Sequence, residues 1–344
     1  MHTKPIVSVV MPAFNTISYV GKAIESILTQ TINDFELIII DDGSTDDTPL
    51  ILAEYQKADS RIQVYRQKNS GVAASMNLGC RLAKGKYIAR MDADDISLPH
   101  RLARQVEFLE QNSDIGICGT WMYTFNDEKK TLFRYPTDPE IAKSTLPFQL
   151  SIVGPSIMFV RETYLNSGVS YNVNVGATDD YLFVVELSKY CRLASIPEAL
   201  YLYRQHHMQI TRREEDRQSK FTRQIRLSQL EELDLQPTIE ELDIHEAISS
   251  WGLIGDKSTL ESAERWLTKL QQANATSHIY PEPAFSQVLG NYWFSICLRH
   301  AKLGFWIYQK FSQTVLARNS NTSWPQRIKL LAKCIARYDR TIRP

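Results

Sequence analysis

The sequence predicts an α/β protein: a mostly parallel, doubly wound sheet in residues 1–212, followed by a C-terminal helical region over residues 213–344. Three observations predict it. Strand-like and helix-like segments alternate five times in the first 120 residues, the pattern of βα units with right-handed crossovers and a sheet covered on both faces. The run FELIII at Phe35–Ile40 has the apolar character of a central parallel strand. Near Arg212 the chain becomes charge-dense (TRREEDRQSK), and helical spacing then runs through Leu233, with further helices expected between Glu240 and Gln271.

Taken in order, Ile6–Met11 is the first strand, stopped at Pro12. Val20, Ala23, Ile24, Ile27 and Leu28 then give Ile17–Leu28 one apolar helical face. The second strand ends in Asp41 and Asp42, and DDGSTDDT supplies helix-start residues before a helix over Pro49–Ala58. Arg61–Tyr65 and Lys86–Met91 are strands flanking a helix at Val72–Ala83. Arg101–Glu110 carries Leu102, Val106 and Leu109 on one face, and Ile115–Gly119 is the fifth strand. Beyond it Trp121–Phe125, Thr131–Tyr135 and Ser156–Val160 have strand character, Tyr181–Tyr190 is helical, and Arg192–Ile196 with Leu200–Tyr203 forms a strand pair.

Composition excludes several classes. With 39 basic and 39 acidic side chains in 344 residues there is no net field to draw the chain to nucleic acid, so no nucleic-acid partner is expected. Five widely spaced cysteines (Cys80, Cys118, Cys191, Cys297, Cys334) form neither a metal-binding pair nor a disulfide framework, which suits a reducing compartment. The apolar stretch before Pro12 is too short for a signal-peptide core, and no run approaches the ~20 residues that span a bilayer. The expected location is the cytoplasm, with peripheral contact on the cytoplasmic membrane face as the further expectation.

The stretch KYIARMDADDISLP sets Asp92, Asp94 and Asp95 at the C-terminal end of a strand. Carboxylates crowded together repel, so a site that keeps them together suits a divalent cation, and ligands of open α/β sheets collect at that edge. The competing reading is an Asp-rich turn that caps the helix after Pro99. Asp41 and Asp42 before Gly43, and Asp179 and Asp180 at a helix entrance, carry the same ambiguity.

Five motifs stand in a fixed order: VSVVMPAFN, FELIIIDDGSTDDT, NSGVAASMNLGCRLAKGKYIARMDADD, TDDYLFVVEL and YRQHHMQIT. Over residues 6–211 they resemble family 2 inverting glycosyltransferases, which have the A-type nucleotide-sugar-binding fold. The resemblance implies transfer of a sugar from a nucleotide diphosphate donor, UDP-linked, to a saccharide or lipid-linked saccharide acceptor in surface polysaccharide or glycolipid synthesis. It implies that Pro12, Ala13, Phe14 and Asn15 line the nucleotide. Asp42, with Asp41 beside it, would accept from a pyrimidine N3 proton, Gly71 would let backbone approach the donor, and Asn77 would follow on the next helix. Asp94 becomes the principal ligand of Mn²⁺ or Mg²⁺, Asp92 touches ribose or metal, Asp95 supports them, and His206 is a third ligand. Arg90 touches the donor or pairs with the carboxylates. Asp180 is the general base, and Asp179 positions the acceptor or the base. Two departures stand out: Met76 replaces a frequent Arg, and Gly154 replaces a frequent His before Pro-Ser.

Other readings fit less well. A haloacid-dehalogenase-type phosphotransferase needs its Asp pair on the first strand, a nicotinamide dehydrogenase needs a glycine fingerprint there, and a calcium loop needs glycine where Ser97 stands. A non-catalytic nucleotide-sugar-binding subunit remains the alternative of a different class. Residues 301–344 hold nine Lys or Arg and only Asp339 as an acid, interleaved with aromatic residues. That tail suits either an anionic membrane surface or charge pairing with the acidic stretch Glu214–Glu264, within one chain or between subunits of a homo-oligomer.

Overall fold

The computed structural model describes residues 4–126, 129–206 and 215–336. His207, the boundary expected at residue 213, Arg337, Asp339, Arg340 and Arg343 lie outside them. The chain divides into two compact units, one of residues 1–142 and 150–222, the other of residues 143–149 and 223–344.

In the first unit the strands are β1 (Val7–Ala13), β2 (Phe35–Asp41), β3 (Ile62–Arg66), β4 (Tyr87–Arg90), β5 (Ile96–Ser97), β6 (Ile115–Phe125), β7 (Lys130–Phe133), β8 (Met158–Val160) and β9 (Arg192–Arg204). Helices α1 (Val20–Leu28), α2 (Thr48–Ala58), α3 (Val72–Leu82) and α4 (Arg101–Gln111) follow β1, β2, β3 and β5. The sheet order is β3-β2-β1-β4-β8-β6-β9-β5, with β7 beside β6. Parallel pairing joins β3, β2, β1 and β4, as the βα alternation predicts. Every residue of β2 is buried, which is why its sequence is apolar. Glu36, an acid within this strand, is satisfied by the Ser8 hydroxyl (2.6 Å), the Lys84 N–H (2.8 Å) and the Gln63 amide (2.9 Å).

Past β4 the sheet is mixed. β8 runs antiparallel between β4 and β6, β6 and β9 are parallel, and β5 is antiparallel to β9. The expected strand pair at Arg192–Tyr203 is instead the single strand β9. Opposite Pro197 and Glu198 the ladder to β6 skips from Ile196 to Ala199, so the proline falls in a bulge where no N–H is needed. Pro12 likewise does not stop β1: the pairing to β4 ends at Val10, so Pro12 faces only β2 on its ladder side. Three further helices, α5 (Pro139–Thr145), α6 (Arg161–Ser167) and α7 (Asp179–Leu187), lie in the second half of the sheet region. Neither α5 nor α6 was expected, because each is only seven residues long.

Described by itself, the second unit is helical: α8 (Glu215–Glu232), α9 (Ile239–Ser249), α10 (Lys257–Ser277), α11 (Ala284–Arg299), α12 (Phe305–Gln313), α13 (Val315–Asn319) and α14 (Trp324–Ile335). Its interior holds His245, fully buried against Phe148 and Trp266. Trp266 donates its indole N–H to His245 Nδ1 at 3.1 Å, so the ring proton sits on Nε2 and is donated to Pro147 O at 2.9 Å. Both nitrogens are used by the neutral ring, and burial pushes its pKa from 6.5 down to about 3. The folded pKa lies below the unfolded one, so this contribution is complete above pH 6.5 and is lost as pH falls toward about 3. The loss is on the order of 5 kcal/mol at its limit. The His245 ring resonances should therefore remain those of the Nε2–H tautomer at pH 5, while the unit's melting temperature falls on acidification. A His245 that titrates near 6.5 would contradict this.

Candidate active site

The site is built at the C-terminal edge of β4. All four residues of β4 are buried, and Met91 N donates to Val10 O (3.0 Å), which carries the parallel register into the turn. Asp95 N donates to Asp92 O at 3.3 Å, and this tight turn sets the three carboxylates in one loop. β5 then pairs with β9, so the end of β9 comes down onto the same turn. Arg204 donates its backbone N–H to Asp95 Oδ1 (2.8 Å) and its Nε to Asp94 O (2.8 Å). Its guanidinium lies 5.0 Å from the ring centroid of Tyr19 and 4.6 Å from that of Phe125. His206, two residues on, places Nε2 2.9 Å from Asp94 Oδ2, its ring 4.6 Å from Tyr19.

Asp94 and His206 thus converge, as the sequence motif implies, but Asp92 does not join them. Its Oδ1 accepts from Arg90 Nε at 3.1 Å, and among the described residues no group of three His, Cys, Asp or Glu side chains is arranged to hold an ion. One oxygen of Asp92 is thus taken by the buried guanidinium. The remaining pair still fits a hard divalent cation. Cis ligands of an octahedron with bonds of ~2.1 Å stand about 3 Å apart, and Mg²⁺ is commonly held by one or two protein ligands together with phosphate oxygens and water. Burial first, then the Asp92 charge, raises the pKa of Asp94, and His206 offsets this. Asp95 is pushed up much further by burial, then by Asp94 and Asp92, and its Oδ2 has no hydrogen-bond partner among the described residues.

Arg90 is only 5 % exposed. Its Nε meets Asp92 and its Nη1 lies 3.4 Å from Asp179 Oδ2, while Arg101 Nη1 donates to its carbonyl at 3.0 Å. Of the two readings of Arg90, pairing with the carboxylates is the one these contacts display. What it does is tie the β4 turn to the start of α7. Arg90→Met leaves the buried Asp179 and the half-buried Asp92 without their cation. A loss of roughly 3–5 kcal/mol is expected, read as a lowered denaturation midpoint in urea. A midpoint equal to wild type would exclude the bridge as a structural element.

At the start of α7 the two acids differ. Asp179 is 2 % exposed, and burial raises its pKa to about 7 against the lowering effect of Arg90. Asp180 is half-buried, its Oδ1 accepting from Tyr181 N at 2.7 Å. Burial raises its pKa as well, Arg90 opposing. The glycine at position 154 now has a physical reason: a Cβ there would stand 1.8 Å from Asp180 Oδ2. Any larger residue would displace the carboxylate.

The loops after β1 and β2 interlock. Asn15, with φ of 50°, donates its N–H to Ser44 Oγ (3.0 Å) and accepts from Thr45 N (2.8 Å), while Ala13 O accepts from Asp42 N. Pro12 and Ala13 close β1 beneath this loop, and Phe14 is exposed at its tip. Asp41 accepts from Ser44 N (2.9 Å) and pairs with Arg66 (3.3 Å). Asp42 accepts from Ser70 N (2.9 Å), Gly71 N (2.8 Å) and Gln67 Nε2 (2.7 Å). With three of its acceptor sites taken and its carboxylate buried, Asp42 anchors the Gln67–Gly71 loop. Gly71 has φ of 89° and open space where a Cβ would be. Asn77 Nδ2 donates to Tyr171 O (2.7 Å) and its Oδ1 accepts from Tyr171 N (2.9 Å), so its amide forms a backbone clamp. Met76 is wholly buried and offers nothing to a ligand. Sequence reasoning missed Tyr19 and Arg101, for an aromatic at a helix start and an arginine within a helix carry no local signal of their role.

Comparison with known proteins bears on the family and the fold. The family model described as Glycosyl transferase family 2 matches residues 8–167. An uncharacterized glycosyltransferase of Haemophilus influenzae is 34 % identical over 218 residues, covering 60 % of this chain and 67 % of that protein. The O-antigen biosynthesis glycosyltransferase WbnJ of Escherichia coli is 32 % identical over 206 residues, 59 % of this chain and 80 % of its own. Several other relatives are matched over less than two thirds of their length, as with 63 % of one from Methanocaldococcus jannaschii and 16 % of one from Rickettsia bellii. Among solved structures, S. aureus TarS 1-349 in complex with UDP-GlcNAc has a TM-score of 0.55 at 17 % identity, covering 97 % of this chain and 91 % of that one. The mannosyltransferase PcManGT of Pyrobaculum calidifontis, in complex with GDP-Man and Mn²⁺, has a TM-score of 0.54 at 17 % identity, covering 97 % and 87 %. These last two show a shared fold. With the family model and relatives above 30 % identity in agreement, the chain belongs to glycosyl transferase family 2.

Proposed function

We propose that this glycosyltransferase moves a sugar, with inversion, from a UDP-linked donor to a hydroxyl of a saccharide or lipid-linked saccharide acceptor, assisted by Mn²⁺ or Mg²⁺. The observation that carries it is that the turn after β4 holds the Asp94–His206 pair and is bridged, from Asp92 through Arg90, to Asp179 beside Asp180 at the start of α7. Neighbours that bind UDP-GlcNAc and GDP-Man with Mn²⁺, and the relative named for O-antigen synthesis, support the donor and acceptor classes. The transfer chemistry belongs to residues 1–212, and residues 213–344 serve contacts outside it.

Asp94 and His206 would hold the cation, which when bound would supply charge to stabilise the departing diphosphate. Asp180 accepts the proton of the attacking hydroxyl as its oxygen bonds to the anomeric carbon, while the bond to the diphosphate breaks with its electron pair. A raised pKa suits that work, since a base nearest the operating pH transfers protons best. Asp179 and Arg90 hold α7 against the β4 turn.

Full-length protein is incubated with a panel of nucleotide sugars, Mg²⁺ and a saccharide acceptor, and nucleotide diphosphate release is followed. One donor, UDP-linked, should be consumed and acceptor should speed it. Binding without release from any donor would favour the non-catalytic subunit. Chelation by EDTA should abolish release and added Mn²⁺ restore it, whereas full activity in EDTA would remove the metal from the account.

A further inference from the structure

The helix α14 holds to its unit through Leu330 and Cys334, both buried. A second apolar stripe on the same helix is largely exposed among the described residues. Trp324, Ile328, Leu331 and Ile335 recur at spacings of four, three and four, which sets them on one side. Trp324 is 75 % exposed, Ile328 42 % and Ile335 73 %, and Leu331 is half-buried. Scattered exposed apolar residues are ordinary, but an aligned stripe on one helix marks an interaction surface.

We propose that this outward face of α14 docks on an anionic lipid surface. Charge selects the occupant. Residues 301–336 contain Lys302, Lys310, Arg318, Arg327, Lys329 and Lys333 and no acid. Part of this charge is answered within the unit: Lys310 pairs with Glu261 (3.2 Å) and Glu264 (3.7 Å), and Arg327 donates to Ala317 O (2.9 Å) and Thr322 Oγ1 (3.1 Å). Arg318 and Lys329 are exposed and form no ion pair among the described residues. A second copy seated on the same stripe would bring Lys329 of each copy toward a like-charged patch, which disfavours a symmetric dimer here. Indole and aliphatic side chains beside exposed cations are the chemistry of a helix lying in the plane of a bilayer interface, the rings at headgroup depth and the cations toward lipid phosphate. No helix of the described residues is long and apolar enough to cross a membrane, so the contact is peripheral. The inference does not depend on the transfer chemistry.

The test sediments the full chain with phosphatidylglycerol-containing vesicles and with pure phosphatidylcholine vesicles. Binding is expected to the first and not to the second, and to weaken at high salt. Ile328→Glu with Ile335→Glu, both at exposed positions and checked for an unchanged melting temperature, should cost at least about tenfold in affinity. Lys329→Gln should cost about fivefold. Leu50→Glu, at an exposed apolar residue of the other unit, should leave binding as it was. Failure to bind anionic vesicles, equal binding to neutral ones, or binding that survives the double substitution would overturn the proposal. So would a wild-type dimer that the double substitution turns into a monomer, for the face would then belong to a second copy.

Discussion

Asp94→Asn is expected to lower transfer by about 10²–10³-fold and to weaken donor binding at the same time, the size of losing one preorganised charge contact to the leaving group. The reason is local. Asp94 Oδ2 is the acid beside His206 Nε2, while Asp92 is committed to Arg90, so the second carboxylate cannot substitute for the first. Turnover and donor affinity should fall together, measured as diphosphate release and by calorimetric titration of the nucleotide sugar. If the variant bound donor as wild type does, Asp94 would not be the cation's ligand, and the turn would be a structural cap.

Asp180→Asn should separate those two quantities. Transfer falls by roughly 10²–10⁴-fold, the usual contribution of a general base, and donor affinity stays within a few-fold of wild type. Asn is nearly isosteric and keeps the acceptor oxygen that Tyr181 N bonds, so the fit against Gly154 survives. Asp179 is no substitute, being buried and turned toward Arg90. A variant that turned over near the wild-type rate at saturating donor would move the base elsewhere.

The elements legible in the sequence are those whose signal is local. β1, β2 and β4 are read from apolar runs because parallel strands covered on both faces must be apolar, and α1 and α4 from one-sided spacing. The Asp92–Asp95 turn and the Asp179–Asp180 pair are equally visible, since each is a local cluster of acids at an element end. What the chain does not announce is long-range. That β8 would insert antiparallel beside β4, and that β9 would run unbroken past Pro197, are decided by the ladder partner and a bulge. The same holds for Arg90, Asp42 and Asn77, whose partners lie 89, 29 and 94 residues away. Each is held by these distant partners, which no local pattern announces. Their contribution is to fix the loops that surround the site.

The most direct measurement is the anomeric configuration of the product, read from the proton coupling constant at the new linkage by NMR as the reaction proceeds. A single displacement assisted by one base at Asp180 predicts that the configuration at the anomeric carbon is opposite to that of the donor. A product with the donor's configuration would contradict it.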